Sequence, residues 1–183
     1  FLLCTEELDA IGAKAKCSPP IRDRRHQVEL WELLASGGIE MLVSDHSPCT
    51  PDLKSSDNAF RAWGGISGAQ NCVDAMFDEG VLKRHISPVV LARALATNAA
   101  RRFRLKGKGE IALGFDADLV LIDPKKSYVL KAEDLYYKNK FSAYEGREIG
   151  CRIARTIVRG RTVYTLEDGI VGEAAGKRIQ LSK

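Results

Sequence analysis

Long apolar runs are missing from this 183-residue sequence. No stretch approaches the roughly 18 residues that cross a bilayer as a helix, so no membrane partner is expected. Charge of one sign is missing too. Lys and Arg number 28 against 24 Asp and Glu, a net charge of +4. The basic residues are scattered apart from Arg22-Asp23-Arg24-Arg25, which argues against nucleic acid as a partner. The five cysteines, Cys4, Cys17, Cys49, Cys72 and Cys151, are odd in number and far apart, with no CxxC and no Cys/His cluster. That suggests neither a disulfide framework nor a zinc knuckle, and reduced thiols in a cytoplasmic protein are the simplest reading. P-loop, GxGxxG and GxSxG motifs are absent, which removes the common nucleotide and serine-hydrolase signatures. Histidine is scarce, with only His26, His46 and His85. Metal centres of the hydrolytic kind draw on several His or carboxylate ligands, so this chain is not expected to complete one. Phe1-Leu2-Leu3 is neither a signal peptide nor a good start for a domain, and a piece cut from a longer chain is expected.

What is present is ordinary soluble material: 45% hydrophobic and 28% charged residues, enough for a sizeable core in one or two domains. Thr5 to Leu8 reads as a short capped helical turn. Ala15 to Pro20 reads as a brief strand stopped by a proline pair. Arg24 to Ala35 has helical apolar spacing through Val28, Leu30, Trp31, Leu33 and Leu34, with Gly37-Gly38 as its stop. A second strand is expected over Ile39 to Val43, so the order is strand, helix, strand, a parallel βαβ unit. Thr50 to Gly68 is a long loop. Helices are expected over Ala69 to Phe77 and from Ser87-Pro88 to Phe103. Beyond Leu105, glycines punctuate short stretches. Ala117 to Asp123 reads as a strand, and Arg155 to Tyr164 alternates around Gly160 as a hairpin. A boundary is placed near residue 106, with a helix-covered parallel sheet before it and a small β-rich module after it.

The sharpest local feature is Ser44-Asp45-His46-Ser47-Pro48 at the exit of the strand over Ile39 to Val43. α/β enzymes build their sites at the carboxyl ends of strands. Asp45 fits a metal ligand, a general base or both, since a carboxylate beside a metal-bound water can accept its proton; the plain alternative is a turn cap beside a solvated His46. Ser18 could hydrogen-bond a polar substrate or could simply fill the end of a strand. Gly64-Gly65 permits close backbone approach or forms a plain turn. Cys17 and Cys49 lack a visible base, which argues against a thiol nucleophile. His26 and His85 read as surface residues.

Taken in order, Lys16-Cys17-Ser18-Pro19-Pro20-Ile21-Arg22, Ser44-Asp45-His46-Ser47-Pro48, Ala62-Trp63-Gly64-Gly65-Ile66-Ser67-Gly68, Thr97-Asn98-Ala99-Ala100 and Gly109-Glu110-Ile111 through Ala117-Asp118-Leu119-Val120 resemble the C-terminal portion of an amidohydrolase. The group is that of the dihydroorotases, hydantoinases and allantoinases, and the resemblance runs through nearly the whole chain. Asp45 to Lys54 followed by Arg61-Ala62-Trp63-Gly64-Gly65-Ile66 is most similar to the allantoinase branch. Dihydroorotases usually carry Asn and a second His where this chain has Ser18 and Cys49. Hydantoinases typically carry Asn-Gly in place of Trp63-Gly64-Gly65, and they are the second choice.

The resemblance implies an α/β fold. Residues 1–106 would form the C-terminal part of a (β/α)8 barrel, and 107–183 a β-sandwich tail. It implies hydrolysis of a cyclic ureide, allantoin to allantoate, by the longer parent. Asp45 would be both a metal ligand and the carrier of the proton from the attacking hydroxide to the leaving ring nitrogen. Cys17, Ser18, His46, Gly64 and Gly65 would contact the substrate. The cofactor implied is a divalent metal, a binuclear zinc centre or its cobalt, manganese or iron counterpart, bridged by a carboxylated lysine outside this chain. A homotetramer is the implied assembly. A non-enzymatic paralogue that keeps the barrel and lacks the metal is the rival. The piece alone is expected neither to close a barrel nor to turn over substrate.

Overall fold

A computed structural model of the chain describes residues 1–56, 58 and 60–179. The loop expected over 50–68 and the tail expected to run to 183 therefore each include positions outside the described residues. The first part is helical: α1 (Leu8–Ile11), α2 (Arg24–Ser36), α3 (Cys72–Phe77), α4 (Pro88–Ala92) and α5 (Asn98–Arg102). Strands follow: β1 (Leu119–Asp123), β2 (Tyr128–Val129), β3 (Glu148–Ile149), β4 (Arg152–Val158), β5 (Arg161–Thr165) and β6 (Gly169–Ile170). No helix among the described residues is long and apolar enough to cross a membrane.

Local chemistry explains most boundaries. The Asp23 carboxylate accepts the His26 amide at 3.0 Å and caps α2. Gly37, at φ 84, ends α2 in the left-handed conformation that glycine adopts without strain. Ser87 and Pro88 start α4, as their cap and first-turn preferences require. Between α4 and α5 the helix widens to a π-turn over Arg93–Thr97. The Ala94 carbonyl in that wide turn accepts the Leu42 amide at 2.9 Å. Asn98 Nδ2 donates to the Glu40 carbonyl at 2.8 Å and Thr97 Oγ1 to that of Gly109 at 2.6 Å. Asn98, with the Ala94 carbonyl, thus anchors the segment leading to Asp45, while Thr97 ties the helix to Gly109.

Two sequence expectations change here. Ile39 to Val43 joins no ladder among the described residues, and Ala15 to Pro20 follows a helical turn, Gly12–Ala15, rather than forming a strand. The expected parallel βαβ unit is not formed among the described residues; the isolated parallel pairing of His46 with Ile66 lies outside both expected strands. The physical reason is partnership. Leu42 is buried against α4 and its wide turn, whereas Val43 is 79% exposed, with no neighbouring strand on its side. The hairpin is as expected: β4 and β5 pair antiparallel, with Val158 opposite Arg161. They sit in a sheet of order β1-β4-β5-β6, and β2 pairs separately with β3.

The core has two centres. Trp31, Leu34, Leu42, Met76, Leu91 and Ala94 form one. Ala75, Leu130, Leu135, Ile149 and Cys151 form the other. Successive residues of α3, Ala75 and Met76, face the two centres, so this short helix joins the helical and strand-rich parts. An ion cluster reinforces the junction. Glu79 is bonded by Lys83 and Arg84 on its own segment and by Arg147 from the strand-rich part at 2.6 Å. Burial pushes the Glu79 carboxyl upward, but the hydrogen bonds from Lys83, Arg84 and Arg147 outweigh it and hold the pKa down to about 2. Its contribution is complete above the ordinary value of 4.5 and is lost as pH falls from there toward about 2. Glu79→Gln is therefore expected to lower the melting temperature at neutral pH and to flatten its decline over that acid window. Melts followed by circular dichroism check both, and an unchanged acid slope would contradict the assignment.

Candidate active site

Three loops meet at the place where the Ile39–Val43 segment ends. The first carries Cys17 and Ser18, the second Asp45 to Lys54, the third Ala62 to Ala69. Asp45 is exposed and adopts φ 43, a left-handed conformation that Asp and Asn tolerate better than other residues with side chains. A capping role is not realised, because the next helical turn, Pro51–Lys54, begins after Thr50 and has no side-chain cap. Asp45 is left exposed where the loops meet, free of a capping bond.

His46 is fixed on one side. Its Nδ1 accepts the Gly68 amide at 3.1 Å and the Ala69 amide at 3.3 Å. Both donors point at the same lone pair, so Nδ1 carries no proton there and the neutral ring is protonated on Nε2. Its ring packs on Tyr137, with centroids 4.7 Å apart. The Ser47 amide donates to the Ile66 carbonyl at 3.0 Å, beside the His46–Ile66 pairing. The third loop is thereby laid along the Asp45 turn.

The glycines allow that closeness. A Cβ on Gly64 would lie 3.3 Å from Ser18 Cβ, and one on Gly65 would lie 2.7 Å from both Ser47 Cβ and the Ser47 carbonyl oxygen. Gly64 thus abuts Ser18, and Gly65 abuts the Asp45 turn. Cys17 is half-buried, with its thiol 3.0 Å from the Pro19 carbonyl. Burial raises its pKa, and the Asp45 carboxylate raises it further. Burial likewise raises Cys49. Both stay thiols at neutral pH, which argues against a thiolate nucleophile.

The structure therefore brings Cys17, Ser18, Asp45, His46, Gly64 and Gly65 to one place. His26 is tied to the start of α2, with Nδ1 2.7 Å from Asp23, and borders the smaller of two clefts beside the loops; His85 is exposed. Two clefts border the loops. One of about 670 Å³ touches Lys16, Cys17 and Lys54; the other, of about 250 Å³, touches Cys17, Ile66 and Tyr144. A third, of about 560 Å³, lies apart from all the expected site residues, around Asp74, Tyr128 and Arg152. Among the described residues no group of three His, Cys, Asp or Glu side chains comes together to hold a metal. Asp45 offers a hard carboxylate donor of the kind divalent ions take, but by itself it does not complete a site for one.

Three contributors escape a reading of the sequence. Tyr137 comes from beyond the helices, and its only signal is an aromatic pair, Tyr136-Tyr137, in a polar stretch. Lys16 and Lys54 look like ordinary surface lysines, yet Lys54 is buried.

A model of the amidohydrolase family matches residues 14–163. An allantoinase of Enterococcus faecalis is 57% identical over 166 residues, covering 91% of this chain and 37% of its own length. An allantoinase of Salmonella newport is 56% identical over 169 residues, 92% of this chain and again 37% of its own. Among solved structures, an L-hydantoinase (dihydropyrimidinase) from Arthrobacter aurescens matches with a TM-score of 0.89 at 27% identity, over 92% of this chain and 38% of that one. A D-hydantoinase (dihydropyrimidinase) from Thermus sp. matches with a TM-score of 0.80 at 32% identity, over 88% and 36%. The chain spans about 37% of the length of the curated relatives it matches.

Proposed function

Because the chain belongs to the amidohydrolase family, we propose that it is the C-terminal part of a metal-dependent hydrolase that opens the hydantoin ring of allantoin to give allantoate. One observation carries the choice of substrate. Identity to proteins named allantoinase is 56–57% across more than nine-tenths of the chain, against 27–32% to the hydantoinases that share its shape. In this reading residues 1–106 supply barrel strands and helices and 107–183 a β-sandwich segment. The protein is a cytoplasmic homotetramer.

The residues divide the chemistry. Water oxygen bonds to the ring carbonyl carbon, the ring C–N bond breaks, and the nitrogen leaves with a proton. Asp45 accepts the proton from the attacking water and returns it to that nitrogen, a role that its exposed carboxylate suits. Ser18 and the main chain of Gly64-Gly65 hold the ring. His46 turns Nε2–H toward a substrate oxygen, since Nδ1 is occupied by two amides. Cys17 lines the site as a thiol. Amidohydrolases generally use a divalent metal. The proposed centre is binuclear zinc, or cobalt, manganese or iron, with Asp45 as one donor and a carboxylated lysine and histidines from outside these 183 residues as the others. The 183-residue piece alone is accordingly inactive.

The test is turnover by the full-length protein. Allantoin is expected to be consumed with allantoate formed, and dihydrouracil and 5-substituted hydantoins are expected to react at least about tenfold more slowly in kcat/KM. Preference for dihydrouracil would favour a hydantoinase-type cyclic amidase, the reading that the structural neighbours support. A folded protein that opens none of these rings would favour the non-enzymatic scaffold.

A further inference from the structure

Two ammonium groups join the three loops of the candidate site. Lys54 ends the helical turn that follows Asp45. It is only 7% exposed, and among the described residues it meets no carboxylate. Its Nζ instead donates to two main-chain carbonyls, Lys16 at 2.7 Å and Lys14 at 3.3 Å. Lysine is seldom buried so fully, and an apolar side chain of similar length would fill the space at less cost. What the ammonium adds is directed bonding, which fixes the position of the backbone leading into Cys17-Ser18. Lys16 then repeats the device. Its Nζ donates to the Ala62 carbonyl at 2.7 Å, two residues before Gly64. The circuit closes through Trp63, whose amide donates to the Leu53 carbonyl at 2.8 Å. The Trp63 indole N–H also reaches the Ser47 carbonyl at 3.4 Å.

We infer that Lys54 and Lys16 are positioning residues, a relayed clasp that sets the spacing of Ser18, Asp45 and Gly64-Gly65 around the ring of the substrate. The kinetic side of this inference rests on the ring-opening function proposed above; the geometric side does not. Neither lysine touches the reacting atoms. Both act through carbonyls of the loops that do.

The experiment uses the full-length protein with Lys54→Met, which keeps the length of the side chain and removes its charge and donors. Two readouts are taken below the melting temperature. Hydrogen exchange at the Ser47 and Trp63 amides is expected to quicken at least about tenfold, since loops no longer tied open more often. KM for allantoin is expected to rise about tenfold with a smaller change in kcat. Ser18→Ala is expected to add little in the Lys54→Met background, because its contact is already lost. Faster exchange with KM unchanged makes the lysines merely structural and overturns the positioning role. Unchanged exchange overturns the clasp altogether. If Lys54→Met does not fold, Lys16→Met, which alters only a half-buried side chain, is read by the same measurements. If the wild-type protein does not open allantoin, the ring-opening function falls by itself and the exchange rates still decide the clasp.

Discussion

Asp45→Asn in the full-length protein is expected to lower kcat/KM for ring opening by about 10²–10⁴-fold, the range of a lost general acid–base group, while the melting temperature stays within about 2 °C. Asparagine is the right probe because of the backbone. At φ 43 the residue sits in the left-handed region, which Asn occupies as readily as Asp. Asn also keeps the size of the side chain, so the change falls on the carboxylate's charge, its basicity and its strength as a metal donor. Alanine would add backbone strain of order 1 kcal/mol and blur the result. The fold has little to lose, since the carboxylate is exposed and caps nothing. The proton inventory makes the kinetic loss large. Amide nitrogen is a poor leaving group unless protonated as the C–N bond breaks, and a neutral amide cannot deliver that proton. Initial rates of allantoate formation, paired with a thermal melt, check both halves. Activity within fivefold of wild type in a folded Asp45→Asn protein would remove Asp45 from the mechanism.

How much of this was legible in the sequence depends on how local the determinant is. α2 could be read because its apolar spacing and its glycine stop are contiguous, from Val28 to Gly38, whereas its Asp23 cap came from the structure. The β4–β5 hairpin could be read because alternation and turn residues are contiguous. Ile39 to Val43 could not be read as it stands. The apolar pattern marks a strand, but a strand needs a neighbour to bond, and among the described residues none lies beside Val43. The π-turn over Arg93–Thr97 was invisible for a related reason: it answers to Leu42, some fifty residues away. The site follows the same division. Asp45, His46 and the Gly64-Gly65 pair stand out by local chemistry. Lys16 and Lys54 bond to carbonyls 46 and 38 residues away, and carbonyls are present at every position, so no side-chain pattern announces them. Tyr137 reaches His46 only because the strand-rich part packs back against the loops.

Gly65→Ala is expected to cost about 10²-fold in kcat/KM, and Gly64→Ala less than about tenfold, although both add one methyl group in adjacent positions. The difference lies in what each methyl meets. At Gly65 the new Cβ would stand 2.7 Å from Ser47 Cβ and from the Ser47 carbonyl oxygen, with Ser47 Oγ closer still. The hydroxyl could rotate away, but the carbonyl belongs to the main chain, and the amide of the same residue is bonded to Ile66 at 3.0 Å. Relief therefore requires the Asp45 turn and the third loop to separate. That displaces Asp45, His46 and Gly64 relative to one another, and a shift of about 1 Å is enough to misalign a reacting pair. At Gly64 the neighbour is Ser18 Cβ at 3.3 Å, a contact that a few tenths of an ångström would ease. Its effect should fall on KM, through the ring contact of Ser18, rather than on kcat. Ser47→Ala should not rescue Gly65→Ala, since the obstructing Cβ and carbonyl oxygen remain. Steady-state kinetics on the two glycine variants and the double variant give the ordering. If Gly64→Ala proved the more damaging, or if Ser47→Ala restored Gly65→Ala, the close approach of the third loop to the Asp45 turn would not be what holds the site together.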